Sequence, residues 1–313
     1  MNRKGQFLDL NFLWLIVGCI CLLFMGGKWN ILIATWVGSI FFVRFFRTQR
    51  SPWAILLALP FVLIASHVFF LGLAVQVTVG FQILIAVSYT LYVMVPCLVD
   101  RLLYRKLGNP LLSTLLYPAS LVVVQWLLSY IEALGTVLNW TGFLFSMKPL
   151  IQIVSITGVW GPSFLVGWLA SIVNTLWENG FDLNKVKLPV AVFGGVFIAS
   201  MLWGGIRMVF FAPGPGTVKD GCSMLRTTLE GLTMGIDFQG RVLSQMNYYV
   251  TSDNRTIITE LPTRGVWTLY SRWGDWFAYG CVMLTILLMG ITCSSPHPGG
   301  GPVPAQWNDT TEQ

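Results

Sequence analysis

Charge is what this sequence has least of. Only 10% of its 313 residues are Asp, Glu, Lys or Arg, against about 25% in an ordinary soluble domain. A chain this poor in charge cannot dress a globule for water, which excludes a conventional soluble enzyme and an intrinsically disordered protein. Histidine is scarcer still, with two residues, His67 and His297. They cannot complete a zinc site with Cys19-x-Cys21, whose spacing is wrong for a metal, so no metal and no other cofactor is expected. Of the six cysteines, Cys19, Cys21, Cys97, Cys281 and Cys293 fall in or at the ends of apolar runs, where small-residue packing is their usual role. Cys222 stands alone elsewhere, so no pair is left to form a disulfide. Acidic residues number 13 against 19 basic ones, a formal charge of +6. That excess gives no ground for a nucleic-acid partner, because Lys and Arg also mark the sidedness of a membrane protein.

What the sequence has is apolar length. It is 55% hydrophobic, with a mean hydropathy of +0.70. A helix crosses about 30 Å of hydrocarbon with roughly 20 apolar residues, and eight runs qualify: about 7–26, 30–46, 53–75, 78–99, 111–131, 149–177, 188–211 and 273–293. The expected fold class is therefore a polytopic α-helical membrane protein, an eight-span bundle. The sixth run is long, and Gly158-Val159-Trp160-Gly161-Pro162 should break or kink it, since Pro162 lacks a backbone donor. No signal-peptide cleavage site follows the first run, so it is read as an ordinary span. Ten Lys and Arg fall in one set of loops (Arg3, Lys4, Arg44, Arg47, Arg50, Arg101, Arg105, Lys106, Lys185, Lys187) and two, Lys28 and Lys148, in the short loops opposite. This positive-inside asymmetry puts both termini in the cytoplasm. The domains expected are a seven-span membrane domain at 1–211, an exterior segment at 212–272, an eighth span at 273–293 and a Gly/Pro-rich disordered cytoplasmic tail at 294–313.

Isolated polar residues within the spans have modest explanations. His67, in mid-span, suits an interhelical hydrogen bond better than a proton or ligand site. Glu132 lies at the outer end of the fifth span, where water solvates it. Trp126, Trp140, Trp160, Trp273 and Trp276 fit an aromatic belt at the headgroups. The spans show no cluster of buried charge and no inverted repeat, which weighs against a transporter.

Residues 117–178 are more specific. Gln125-Trp126, Asn139-Trp140-Thr141-Gly142, then Gly158-Val159-Trp160-Gly161-Pro162-Ser163-Phe164-Leu165 and Ser171-Ile172-Val173-Asn174 occur in that order and spacing. Together they resemble the membrane domain of the apolipoprotein N-acyltransferases, in a divergent branch. The chain departs from the family where Gln125 replaces a frequent acid and Asn139 a frequent proline. The resemblance implies a nitrilase-like αββα domain (carbon-nitrogen hydrolase superfamily) between the seventh and eighth spans. Asp220-Gly221-Cys222-Ser223-Met224-Leu225-Arg226 resembles a late strand of that domain. Alternating apolar positions around Gly240, then Thr256 to Leu261, read as further strands.

The family transfers an acyl group from a phospholipid to the N-terminal amine of a lipoprotein, in lipoprotein biosynthesis, through a cysteine thioester. A glutamate acts as base and a lysine steadies the oxyanion. The part of the domain that supplies these residues has no counterpart between Thr217-Val218-Lys219 and Asp220, so the exterior segment is expected to be a truncated remnant. About 60 residues build little core of their own, and the segment is expected to pack on the bundle or a partner, or to stay partly disordered. Cys222 follows the nucleophile region of the resemblance, and Lys219 beside it has nothing to fix its geometry. It is disfavoured as a nucleophile, and no catalytic residue is assigned. Two functions stay open: a catalytically incompetent family member, or a non-enzymatic scaffold that binds lipid or docks a partner. Trp126 and Trp140 are the lipid-binding candidates. The expected partners are the membrane, phospholipid and a lipoprotein, and the expected location is the inner or plasma membrane. Asn139-Trp140-Thr141 and Asn254-Arg255-Thr256 are glycosylation triplets that matter only in a eukaryotic secretory membrane.

Overall fold

The computed structural model describes residues 3–25, 31–49, 52–71, 78–131, 144, 147–210, 223–226, 232–236, 242–247, 257–262 and 267–294. Helices occupy every apolar run: α1 (Arg3–Phe24), α2 (Leu32–Thr48), α3 (Pro52–Leu71), α4 (Val79–Leu103), α5 (Pro110–Ile131), α6 (Lys148–Ile151), α7 (Val154–Thr157), α8 (Trp160–Glu178), α9 (Leu183–Phe210), α10 (Leu269–Trp273) and α11 (Trp276–Ser294). Four stretches are long and apolar enough to cross a membrane: Val79–Lys106, Pro110–Tyr130, Leu183–Val209 and Trp276–Ser294. A fifth is added if α6–α7 and α8, which meet at 116°, form one broken span. Asn11–Phe24 and Ile55–Phe69 are shorter apolar helices. The chain is thus a helical protein with the makings of a membrane bundle.

The distribution of side chains agrees. Large apolar residues face outward, with Ile64 63%, Val209 81% and Met283 72% exposed. Small polar ones, Ser39, Ser66, Thr90, Ser163 and Asn174, are turned inward. Water would penalise the first group, whereas lipid accepts it and leaves hydrogen bonds and small residues to join the helices. At Gly167 of α8 even a Cβ would lie 3.1 Å from the Pro118 backbone of α5, so the missing side chain is what lets these two helices approach. α5 packs on α4 and α8, and α2 packs on α1 and α8.

One end of the bundle is tied by charge. α2 continues past Arg44, beyond its expected limit, and its last turn carries Arg47 inward to 4% exposure. Arg47 donates Nε to Asp100 Oδ2 at 2.6 Å and Nη2 to Asp100 Oδ1 at 2.9 Å. It also donates to Ser171 Oγ at 3.1 Å and Thr175 Oγ1 at 3.3 Å on α8. Glu178 Oε2 stands 3.6 Å away, and the Tyr104 ring lies 4.2 Å beneath the guanidinium. The spans therefore do hold a buried charge cluster, against the sequence expectation. Its members come from the last turns of α2, α4 and α8, not from the mid-membrane position of transporter ion sites. Arg47, counted as a loop cation from the sequence, is a neutralised core residue.

His67 is half-buried on α3, and the expected interhelical hydrogen bond is not found among the described residues. β1 (Met224–Arg226), β2 (Leu232–Ile236) and β3 (Val242–Asn247) form an antiparallel meander in the order β1-β2-β3, pairing Leu225 with Gly235 and Met234 with Gln245. β2 and β3 flank Gly240 as expected. Residues 257–262 carry no strand, although Ser223 Oγ donates to Pro262 O at 2.8 Å and Thr259 lies against Gly235. Tail residues 295–313 lie outside the described residues.

Removing one partner of a buried ion pair strands the other charge. Asp100→Asn is expected to cost about 3–5 kcal/mol, and Arg47→Met with Asp100→Leu together much less. Reversible unfolding in detergent measures both; an unchanged midpoint for Asp100→Asn refutes the role given to this tie.

Candidate functional site

At the opposite ends of these helices lies the break in the sixth run. α7 stops at Gly158, whose φ of 65° and ψ of −167° suit glycine almost alone. The Tyr270 ring of α10 rests on its bare Cα. Pro162 occupies the first turn of α8, where its missing N–H costs nothing. The sequence located the break correctly, but Gly158 makes it and Pro162 only starts the next helix.

The break is fastened by polar side chains from beyond α9. Trp160 Nε1 donates to Asp275 Oδ1 at 2.7 Å, and Tyr270 Oη donates to the same oxygen at 2.8 Å. Trp276 Nε1 donates to Ile156 O at 2.8 Å, satisfying a carbonyl that the broken helix leaves free. Asp275 thus joins α8, α10 and α11. Nothing in the sequence singled it out, and the signal that could have marked it is its place directly before an apolar run. Trp160 is 1% exposed. It is a core residue of this joint and not a member of an aromatic belt, since its partner Asp275 is supplied by the protein.

Beside the joint is an apolar groove of about 280 Å³, open on one side. Its walls include Thr157 of α7, Gly161 and Phe164 of α8, Val196 of α9, and Phe277 and Leu284 of α11. The Thr157 hydroxyl donates to Ile153 O at 3.1 Å, so it offers an occupant no free donor. Such a space suits a hydrocarbon chain; the thiol in its wall, Cys281, is 4% exposed among apolar neighbours.

The sequence candidates fall around this region unevenly. Trp126 is half-buried, its ring edge-on to Tyr130 and Tyr279 with centroids 5.3 Å away in each case. It packs beside Trp160, Ala278 and Cys281, next to the groove but not among the described residues that line it. Gln125 is 1% exposed, and neither amide atom has a hydrogen-bond partner among the described residues. Ser171 and Asn174 sit at the far end of α8, where Ser171 binds Arg47 and Asn174 Nδ2 donates to Ile40 O at 2.9 Å. Trp140, Cys222, Lys219 and Glu132 lie outside the described residues. The described cysteines are all in α1, α4 and α11, and no group of His, Cys, Asp and Glu fit for a metal occurs among the described residues.

A side chain at residue 158 must adopt a glycine-only backbone and displace Tyr270. Gly158→Ala is expected to cost about 1–3 kcal/mol from the backbone alone. Adding Tyr270→Ala relieves the collision but not the backbone strain, so thermal unfolding of the double variant should show partial recovery only. Full recovery would mean that the backbone geometry at the break is not strained.

No family model, curated protein or solved structure matches the chain.

Proposed function

We propose that the chain is an apolipoprotein N-acyltransferase-like membrane protein that holds a phospholipid acyl chain without performing the acyl transfer. The observation that carries this reading is the groove. Gly161, Phe164 and Leu165, from the segment on which the family resemblance rests, help to form its wall. The groove opens beside α9 and α11, whose outward faces carry Leu202 at 62% and Ile286 at 63% exposure, so an occupant can enter from the surrounding hydrocarbon. In this reading eight spans cross the membrane, the first three and the bent pair included. Both termini face the cytoplasm, and the β1–β3 meander is the exterior remnant of a nitrilase-like domain. The membrane is the inner or plasma membrane.

The incompetence follows from the sequence: the nucleophile, base and lysine of the family have no counterpart before Asp220. A scaffold that binds lipid is the form of the reading that the groove favours, and a lipoprotein is its natural second partner.

A phospholipid with a photoactivatable acyl chain tests the proposal. Crosslinks are expected to concentrate on Phe277–Leu284 and residues 157–165. Gly280 lines the groove, and a Cβ there meets nothing within 4 Å, so Gly280→Trp should fill it without disturbing the fold. Loss of those crosslinks in Gly280→Trp, with no acyl transfer to a lipopeptide by the unsubstituted protein, is the expected result. Crosslinks spread evenly over the exposed face of α9 refute the groove, and measurable transfer refutes the incompetence.

A further inference from the structure

The acid at the charged end of the bundle is consumed by Arg47 and Tyr104. Asp100 takes two hydrogen bonds from Arg47, and Glu178 accepts the Tyr104 hydroxyl at 3.2 Å while lying 3.6 Å from Arg47. Arg101 and Arg105 receive none of it. They stand four residues apart, at the end of α4 and in the 3-10 turn Tyr104–Lys106 that follows, so two like charges share one face and repel.

Each guanidinium is nevertheless held in place, by a neutral acceptor. Arg101 Nη1 donates to Phe46 O at 2.8 Å, and Arg105 Nε donates to Tyr104 Oη at 2.6 Å. The Tyr104 ring is shared by Arg47 at 4.2 Å and Arg105 at 5.4 Å. No carboxylate among the described residues lies within ion-pair distance of Arg101 or Arg105. Most of their N–H groups are therefore unspent. Between them Leu102 is 64% exposed, an apolar side chain that puts the pair where the bundle meets lipid.

We propose that Arg101 and Arg105 together bind the phosphate of an anionic phospholipid. Guanidinium forks match the oxygens of a phosphodiester, and two that are already positioned lose little freedom on binding. The oxyanion removes the repulsion between them, which Asp100 and Glu178 cannot do. Free phosphate offers the same oxygens, but only a lipid also covers Leu102. The site lies at the other end of the bundle from the acyl-chain groove and does not depend on it.

The test is lipid binding to the full-length protein in detergent by native mass spectrometry. Phosphatidylglycerol is expected to bind and phosphatidylcholine and inorganic phosphate not to compete. Arg101→Gln with Arg105→Gln should weaken phosphatidylglycerol binding about 30-fold, at about 1 kcal/mol for each charge. Lys185→Gln with Lys187→Gln removes two exposed cations from α9 and should change it little. Arg101→Lys with Arg105→Lys, which keeps both charges and guards against a folding defect, should fall between. Equal binding of phosphatidylcholine, competition by inorganic phosphate, or equal losses in the Arg and Lys double variants would each overturn the proposal.

Discussion

The bidentate contact of Arg47 with Asp100 is the constraint on which the bundle's arrangement rests. Dispersion between apolar helices in lipid has little preference for one packing over another, since a neighbouring helix and an acyl chain are equally apolar. A guanidinium taken to 4% exposure has no such freedom. It must meet its acceptors, and they come from α4 and α8, at sequence separations of 53, 124 and 128 residues. One side chain thus fixes the rotation and depth of three helices at once. Asp100 neutralises it, Ser171 and Thr175 take remaining N–H groups, and Tyr104 covers its face. A partly satisfied cluster would be worse than none.

The other end is held by hydrogen bonds from neutral donors. There the polar ties join a broken span to α10 and α11 through Asp275, and the ring of Tyr270 seals the backbone at Gly158. The charged end is closed by a buried ion pair, and the other end carries a polar joint beside an open groove. α9, whose span is only 17% buried, contributes Val196 to the groove wall.

Much of this was legible in the sequence, for physical reasons that differ from element to element. The helices announced themselves by apolar length, which lipid demands whatever the packing. The break at residue 158 was legible because glycine and proline restrict the backbone locally. The hairpin about Gly240 was legible from alternation. Arg47 was not, because a basic residue at the end of an apolar run looks the same whether it snorkels to water or turns inward to a carboxylate 53 residues away. Trp160 was misplaced for a like reason: an indole near a helix end fits a headgroup belt until Asp275, 115 residues later, is known to meet it. The residues 256–261 alternate like a strand, yet those described lie against the meander without joining it, since side-chain period does not choose a pairing partner.

The break and the groove are one structural fact. A helix interrupted inside hydrocarbon exposes carbonyls that lipid cannot satisfy, so it persists only where protein supplies the donors. Trp276 Nε1 does this for Ile156, and by doing so brings the start of α11 against α7. The same residue, with Phe277, then forms part of the groove wall. The hydrogen bond that makes the interruption tolerable therefore also sets how closely α11 approaches, and with it the groove's width. A continuous sixth helix would need no such donor, and α11 would have no polar reason to stand where it does. The interruption, costly in itself, is what gives this largely apolar bundle a defined groove at its surface.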